Sequence, residues 1–231
     1  MLTPGTGAPQ RMALESRLTR FNTFQMSDSS RAVADRVEIG AGVPRTHRPF
    51  LRRVARVLLR ICGWRLDVRI PDAPKLVLLA APHTSNWDGF FAIVAMIAMD
   101  LRLGLFVKHT MFNTPLAGML KALGAIPIDR TAAGGLIGQT IQAFNERHQL
   151  LIGLAPEGTR RPVAKWKRGF HLIATGAGVP VVCAYLDYRR KVVGTGLVIK
   201  QCTDFDTDLQ QSQAFYRTLT PCCPENFSTL R

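Results

Sequence analysis

The run Pro82-His83-Thr84-Ser85-Asn86-Trp87-Asp88 sets a histidine and an aspartate with four residues between them, just after an apolar stretch. Residues 76–81 read as a buried strand and residues 87–99 as a helix, so His83 sits where a strand hands over to a helix. In open α/β sheets ligands bind beyond the carboxyl ends of strands. Asp88 falls in the first turn of the helix. From there a carboxylate can fold back toward the imidazole, hold one ring nitrogen and leave the other free as a base. The plainer alternative is that Asp88 only favours the helix N-terminus and His83 is a satisfied loop residue.

A second constellation, Ala155-Pro156-Glu157-Gly158-Thr159-Arg160, closes another apolar run. Gly158 permits a tight turn or a close approach to a ligand. Arg160 offers a planar fork that suits a phosphate. Arg161, Lys165, Lys167 and Arg168 follow at once. A solvated basic turn would explain a charge run alone. The strand-end placement, and one acidic residue among so many cations, point instead to a site. A third turn, Gly124 to Arg130, ends in Asp129-Arg130, which can also be read as a local ion pair.

The elements that must position these residues alternate. Strands are expected over 76–81, 103–108, 125–128, 150–155, 180–185 and 191–200. Helices are expected over 87–99, 115–123, 135–148, 169–175 and 207–219, the second with Pro in its first turn. This alternation predicts a single α/β layered domain, a mostly parallel central sheet flanked by helices. It is expected to occupy residues 65–231.

Ahead of it, residues 47–64 predict a basic amphipathic helix. Arg52, Arg53, Arg56 and Arg60 fall within about 100° of arc, with Phe50, Leu51, Val54, Val57, Leu58, Leu59 and Ile61 opposite. Such a helix suits the plane of a membrane interface, or buries its apolar face on the domain. Residues 1–46 are rich in Ser, Thr, Gly and Arg and read as a disordered leader.

Lys and Arg total 30 against 16 Asp and Glu, a net charge of +14, which calls for an anionic partner. Aromatics make up only 8% of the chain and do not alternate with the basic residues, which argues against nucleic acid. The longest apolar run, 89–99, is too short to span a bilayer. The 5 cysteines show no CxxC spacing and read as reduced thiols, outside any disulfide framework or zinc site. No role can be read for Cys222-Cys223. Asp204, Asp206 and Asp208 read as the acidic approach to the last helix.

Together these motifs resemble the glycerolipid acyltransferase family typified by 1-acylglycerol-3-phosphate acyltransferase, over roughly residues 75–190. His83, Ser85 and Asp88 match its first block. Lys108, Pro115, Gly118, Gly124, Asp129 and Arg130 match the second in order, Pro156 to Arg160 the third, and Val179-Pro180-Val181-Val182 the fourth. The chain departs from the pattern at Pro82, where Asn is frequent, and at Thr110, where an acid is frequent.

The resemblance implies direct acyl transfer from acyl-CoA or an acyl-acyl carrier protein to the hydroxyl of a lysophospholipid, with no cofactor and no metal. The absence of a GxSxG elbow agrees with transfer without an acyl-enzyme. His83 and Asp88 would be catalytic. Lys108, Arg130, Glu157, Gly158, Thr159 and Arg160 would bind substrate, the two arginines gripping the phosphate while Glu157 and Thr159 order them. The expected location is the cytoplasmic face of a membrane, held peripherally. Two other readings stay open: transfer to another hydroxyl lipid, such as a lyso-ornithine lipid or a glycolipid, and a non-enzymatic basic module that binds lipid or nucleic acid.

Overall fold

Strand β3 (Lys75–Ala80) has its four middle residues buried, as an uninterrupted apolar run demands when both faces of a sheet are covered. Its neighbours build an eight-stranded sheet. A computed structural model describes residues 35–114, 117–118, 125–128 and 135–227 of the 231. In chain order the other elements are β1 (Arg36–Ile39), α1 (Pro49–Ile61), β2 (Arg65–Ile70), α2 (Asn86–Ala98), β4 (Leu103–Lys108), β5 (Ala125–Ile128) and α3 (Gly135–Glu146). Then come β6 (Leu150–Leu154), α4 (Gly169–Ala177), β7 (Val181–Asp187), β8 (Val192–Ile199) and α5 (Phe205–Tyr216).

The strand order is β1-β2-β8-β7-β3-β6-β4-β5. Every pairing is parallel except β7 with β8, so two parallel blocks of opposite direction meet at that hairpin. The sheet divides the core. Leu76, Leu78 and Val182 face Ala55 and Leu59 of α1 and Val94, Ala95 and Ala98 of α2. Val77, Leu79 and Cys183 face Phe144 of α3, Phe170 of α4 and Tyr216 of α5. This is the expected α/β layering with a mostly parallel sheet.

Two strands lie outside the expected set. β2 alternates buried and half-buried residues over Arg-Leu-Asp-Val-Arg-Ile. β1, only 4 residues long, pairs with it in parallel. The leader expected through residue 46 thus gives way to folded chain by Arg36. Val43 is buried, Gly42 N–H donates to Asp72 Oδ1 at 2.6 Å, and Thr46 N–H donates to the Asp100 carbonyl at 3.0 Å. So short a charged strand carries no periodicity of its own and is defined by its partner. Most of the helix expected over 115–123 lies outside the described residues.

Helix α1 forms as expected, with Pro49 in its first turn. It packs on α2, and Arg56 Nε donates to the Ala98 carbonyl at 3.0 Å. Only Ala55 and Leu59 of α1 are buried. Phe50 and Ile61 are 74% and 77% exposed, with Leu51, Val54 and Val57 also outward. On α2, Trp87, Phe90, Ile93 and Ile97 are exposed as well. Among the described residues no helix is long and apolar enough to cross a membrane.

Candidate active site

The loop after β3 delivers His83, and α2 starts three residues later, at Asn86. Ser85 caps the helix: its Oγ accepts the Trp87 N–H at 3.2 Å, and Asp88, in the first turn, completes a capping box. Asp88 Oδ2 accepts the N–H of Thr84 at 2.6 Å and of Ser85 at 2.8 Å. The carboxylate therefore shapes the loop that carries His83.

His83 Nδ1 lies 3.8 Å from Asp88 Oδ2, an electrostatic contact longer than a hydrogen bond. The carboxylate expected to hold the ring lies beside it, but the hydrogen bonds of that oxygen go to the Thr84 and Ser85 amides. The His83 side chain is 29% exposed. Burial holds its pKa below the ordinary imidazole value, with Asp88 pulling it up and Arg160 pushing it down. A half-buried imidazole with a carboxylate at Nδ1 presents neutral Nε2 as a base.

The loop after β6 meets this one directly. Glu157, only 3% exposed, accepts the His83 N–H through Oε2 at 2.8 Å. Its Oε1 is buried without a partner. Burial raises its pKa to about 7, against the His83 N–H, which lowers it, while Asp88 adds a further upward push. Glu157 was expected to order the arginines; among the described residues it is held by the His83 backbone N–H, with no hydrogen bond or ion pair to an arginine. Gly158 adopts φ +65°, where a side chain is strained. Thr159 Oγ1 accepts the Arg161 N–H at 3.3 Å, so it too serves its own turn.

Arg160 is exposed, and its Nη1 donates to Asn86 Oδ1, across to the first residue of α2. Imidazole, carboxylate and guanidinium thus line one place. Lys108 ends β4, parallel to β6 and β5; its side chain, and all of Arg130, lie outside the described residues.

Sequence reasoning missed three contributors. Asn86, the first residue of α2, holds Arg160. Thr84 is buried, and accepts the Cys223 N–H at 3.2 Å through Oγ1. Tyr188, in the turn after β7, donates to Asp88 Oδ1 at 2.7 Å. No local pattern could announce contacts made across 74 to 139 residues.

Away from this centre, among the described residues, His171, Cys202 and Asp208 bring metal-ligand atoms within 4.8 Å of one another. Asp208 is already committed: it lies 3.1 Å from His171 Nε2 and accepts the Thr203 N–H at 3.2 Å. Asp206 and Asp208 lie in the first turn of α5, as read, and Asp204 caps it, accepting the Thr207 N–H at 2.8 Å; Asp208 in addition pairs with buried His171. All five cysteines are free.

A model of the Acyltransferase family matches residues 67–187. The fold is similar to the crystal structure of PlsC, the 1-acyl-sn-glycerophosphate (LPA) acyltransferase of Thermotoga maritima. The two are 14% identical, with a TM-score of 0.52 over 74% of this chain and 77% of that one. Comparison with curated proteins finds no match. With over half its length matched, the chain belongs to the acyltransferase family.

Proposed function

We propose that this acyltransferase moves a fatty acyl group from a thioester, acyl-CoA or an acyl-acyl carrier protein, onto the hydroxyl of a lysophospholipid such as 1-acylglycerol-3-phosphate. The observation that carries the reading is the meeting of His83, Asp88 and Arg160 at one place, with the two loops tied by the Glu157–His83 and Asn86–Arg160 contacts.

In the proposed step, the acceptor oxygen attacks the thioester carbonyl carbon while His83 Nε2 takes the hydroxyl proton. Asp88, at the other ring nitrogen, stabilises the imidazolium that results. The tetrahedral intermediate collapses with loss of the thiolate, which recovers the proton from His83. Positioned base catalysis of this kind contributes about 10²–10⁴-fold. Arg160 holds the phosphate of the acceptor, with Asn86 keeping its fork in place. The family's second block assigns Lys108 and Arg130 to the same substrate.

The enzyme works as a peripheral protein on the cytoplasmic face of a membrane. Support comes from the outward apolar residues of α1 and α2 beside the exposed Arg52, Arg53 and Arg60. Apolar side chains that enter the interface, flanked by cations, suit an anionic bilayer, each cation contributing roughly 1 kcal/mol.

The test crosses both donors with a panel of lysolipids presented in anionic vesicles, with His83→Ala as blank. The expected result is transfer to 1-acylglycerol-3-phosphate that disappears in His83→Ala while circular dichroism is unchanged. Equal turnover by wild type and variant, or transfer to no hydroxyl lipid, would overturn the proposal.

A further inference from the structure

We infer that Tyr188 is a positioning residue for the catalytic carboxylate, acting together with the C-terminal turn at 222–226 as a clamp behind the His83–Asp88 loop. The inference rests on the function proposed above and adds residues that lie beyond the family match, which ends at residue 187.

Asp88 is 2% exposed, so each of its oxygens needs a donor. Oδ2 is satisfied by the loop's own amides. Oδ1 receives the Tyr188 hydroxyl at 2.7 Å. That bond fixes the carboxylate plane and thereby which oxygen confronts His83. The phenol is itself immobilised. Its ring stands edge-on to buried Trp64, with centroids 5.0 Å apart, and its N–H donates to the Thr220 carbonyl at 2.9 Å. Burial first, and then the bond to Asp88, hold the Tyr188 hydroxyl far above its usual pKa, so it remains a donor at every working pH.

The chain that follows closes over the same loop. Cys222 lies against the Tyr188 hydroxyl. The Cys223 N–H donates to Thr84 Oγ1 at 3.2 Å and Asn226 Nδ2 to the Thr84 carbonyl at 3.3 Å. Thr84 is the residue between His83 and the helix cap, so both ends of the catalytic loop are held from behind. Free placement of this segment would leave Thr84 to the solvent; here it is buried.

An electrostatic consequence separates positioning from mere packing. The charged groups around the imidazole are Asp88 from α2, and Arg160 and Glu157 from the loop after β6. Tyr188, Cys222 and Cys223 stand behind Asp88. A donated hydroxyl draws negative charge off the carboxylate. Without it, the carboxylate holds the imidazole proton more tightly and the His83 pKa rises.

The experiment compares the full chain with its Tyr188→Phe and Asn226→Ala variants. The His83 imidazole is titrated by NMR, and turnover on vesicles is followed against pH. In Tyr188→Phe the titration is expected to move up by about half a pH unit. Turnover should fall about tenfold with the acceptor KM unchanged, and the acid limb of kcat/KM should move with the imidazole. Asn226→Ala should reduce turnover less and leave the titration in place. An unchanged imidazole titration in folded Tyr188→Phe overturns the inference. So does a turnover loss accounted for by the unfolded fraction alone. If the imidazole shifts but neither protein transfers an acyl group, the clamp stands and the acyl-transfer reading fails.

Discussion

The loops leaving β3 and β6 each bury one carboxylate against the same histidine, and the two carboxylates meet opposite fates. Asp88 and Glu157 are 2% and 3% exposed. Asp88 collects two amides on one oxygen and a phenol on the other. Glu157 collects a single amide and leaves an oxygen unpaired, and burial lifts its pKa to about 7. Equal burial thus leads to different chemistry, because the number of donors, rather than the depth, decides whether a negative charge is supported. One loop is built to carry charge beside the ring; the other brings a carboxyl group that is half protonated near neutral pH.

The largest test of that contrast is Asp88→Asn. The amide oxygen can still accept from Thr84 and Ser85, and its NH₂ can face the Tyr188 oxygen, so the fold should survive. Turnover should fall by about 10²–10⁴-fold, measured on vesicles with melting temperature as control. Unimpaired turnover would erase the distinction between the two carboxylates.

Glu157 offers the next effect. Its folded value near 7 lies above the ordinary carboxyl value of 4.5. The stability it contributes is whole below about pH 4.5 and is lost as pH rises through about 7. The span is on the order of 3 kcal/mol at most. Chemical denaturation from pH 5 to 8 should show that decline in the wild type. Glu157→Gln should flatten it, and equal slopes would show that Glu157 is ionised throughout.

Gly158→Ala should cost about 1–3 kcal/mol. The new Cβ meets the Lys167 side chain, at 2.6 Å from Nζ, and the φ of +65° is strained for alanine. The smallest effect is expected at the bridge between the loops. Asn86→Ala removes the partner of Arg160 and should raise the acceptor KM by about 3–10-fold, roughly one hydrogen bond, with kcat little changed. A kcat loss instead would place Asn86 in the chemistry of the first loop.

Much of this arrangement was legible from residue order. β4 and β5 fall where their apolar runs end, and the histidine, aspartate and Pro-Glu-Gly-Thr-Arg motifs lie at strand ends as read. What stayed hidden depends on contacts distant in the chain. The charged, four-residue β1 acquires its identity from β2. The antiparallel turn between β7 and β8 is invisible to periodicity, which reports burial but not direction. Glu157 reads as a counter-ion because its neighbours in sequence are cations, yet in space it is buried and its Oε2 takes the His83 amide. Tyr188 and the 222–226 turn reach Asp88 and Thr84 only after the sheet has formed.

Helix α2 begins with the carboxylate that faces His83 and turns Trp87, Phe90, Ile93 and Ile97 outward along the same 13 residues. If that outer side rests among lipids, proton transfer takes place at a set altitude above the bilayer, fixed by one rigid rod and independent of any hinge. Discrimination among acceptors then becomes partly a matter of stature: a hydroxyl carried too deep or too high in the leaflet misses the imidazole, whatever its head group.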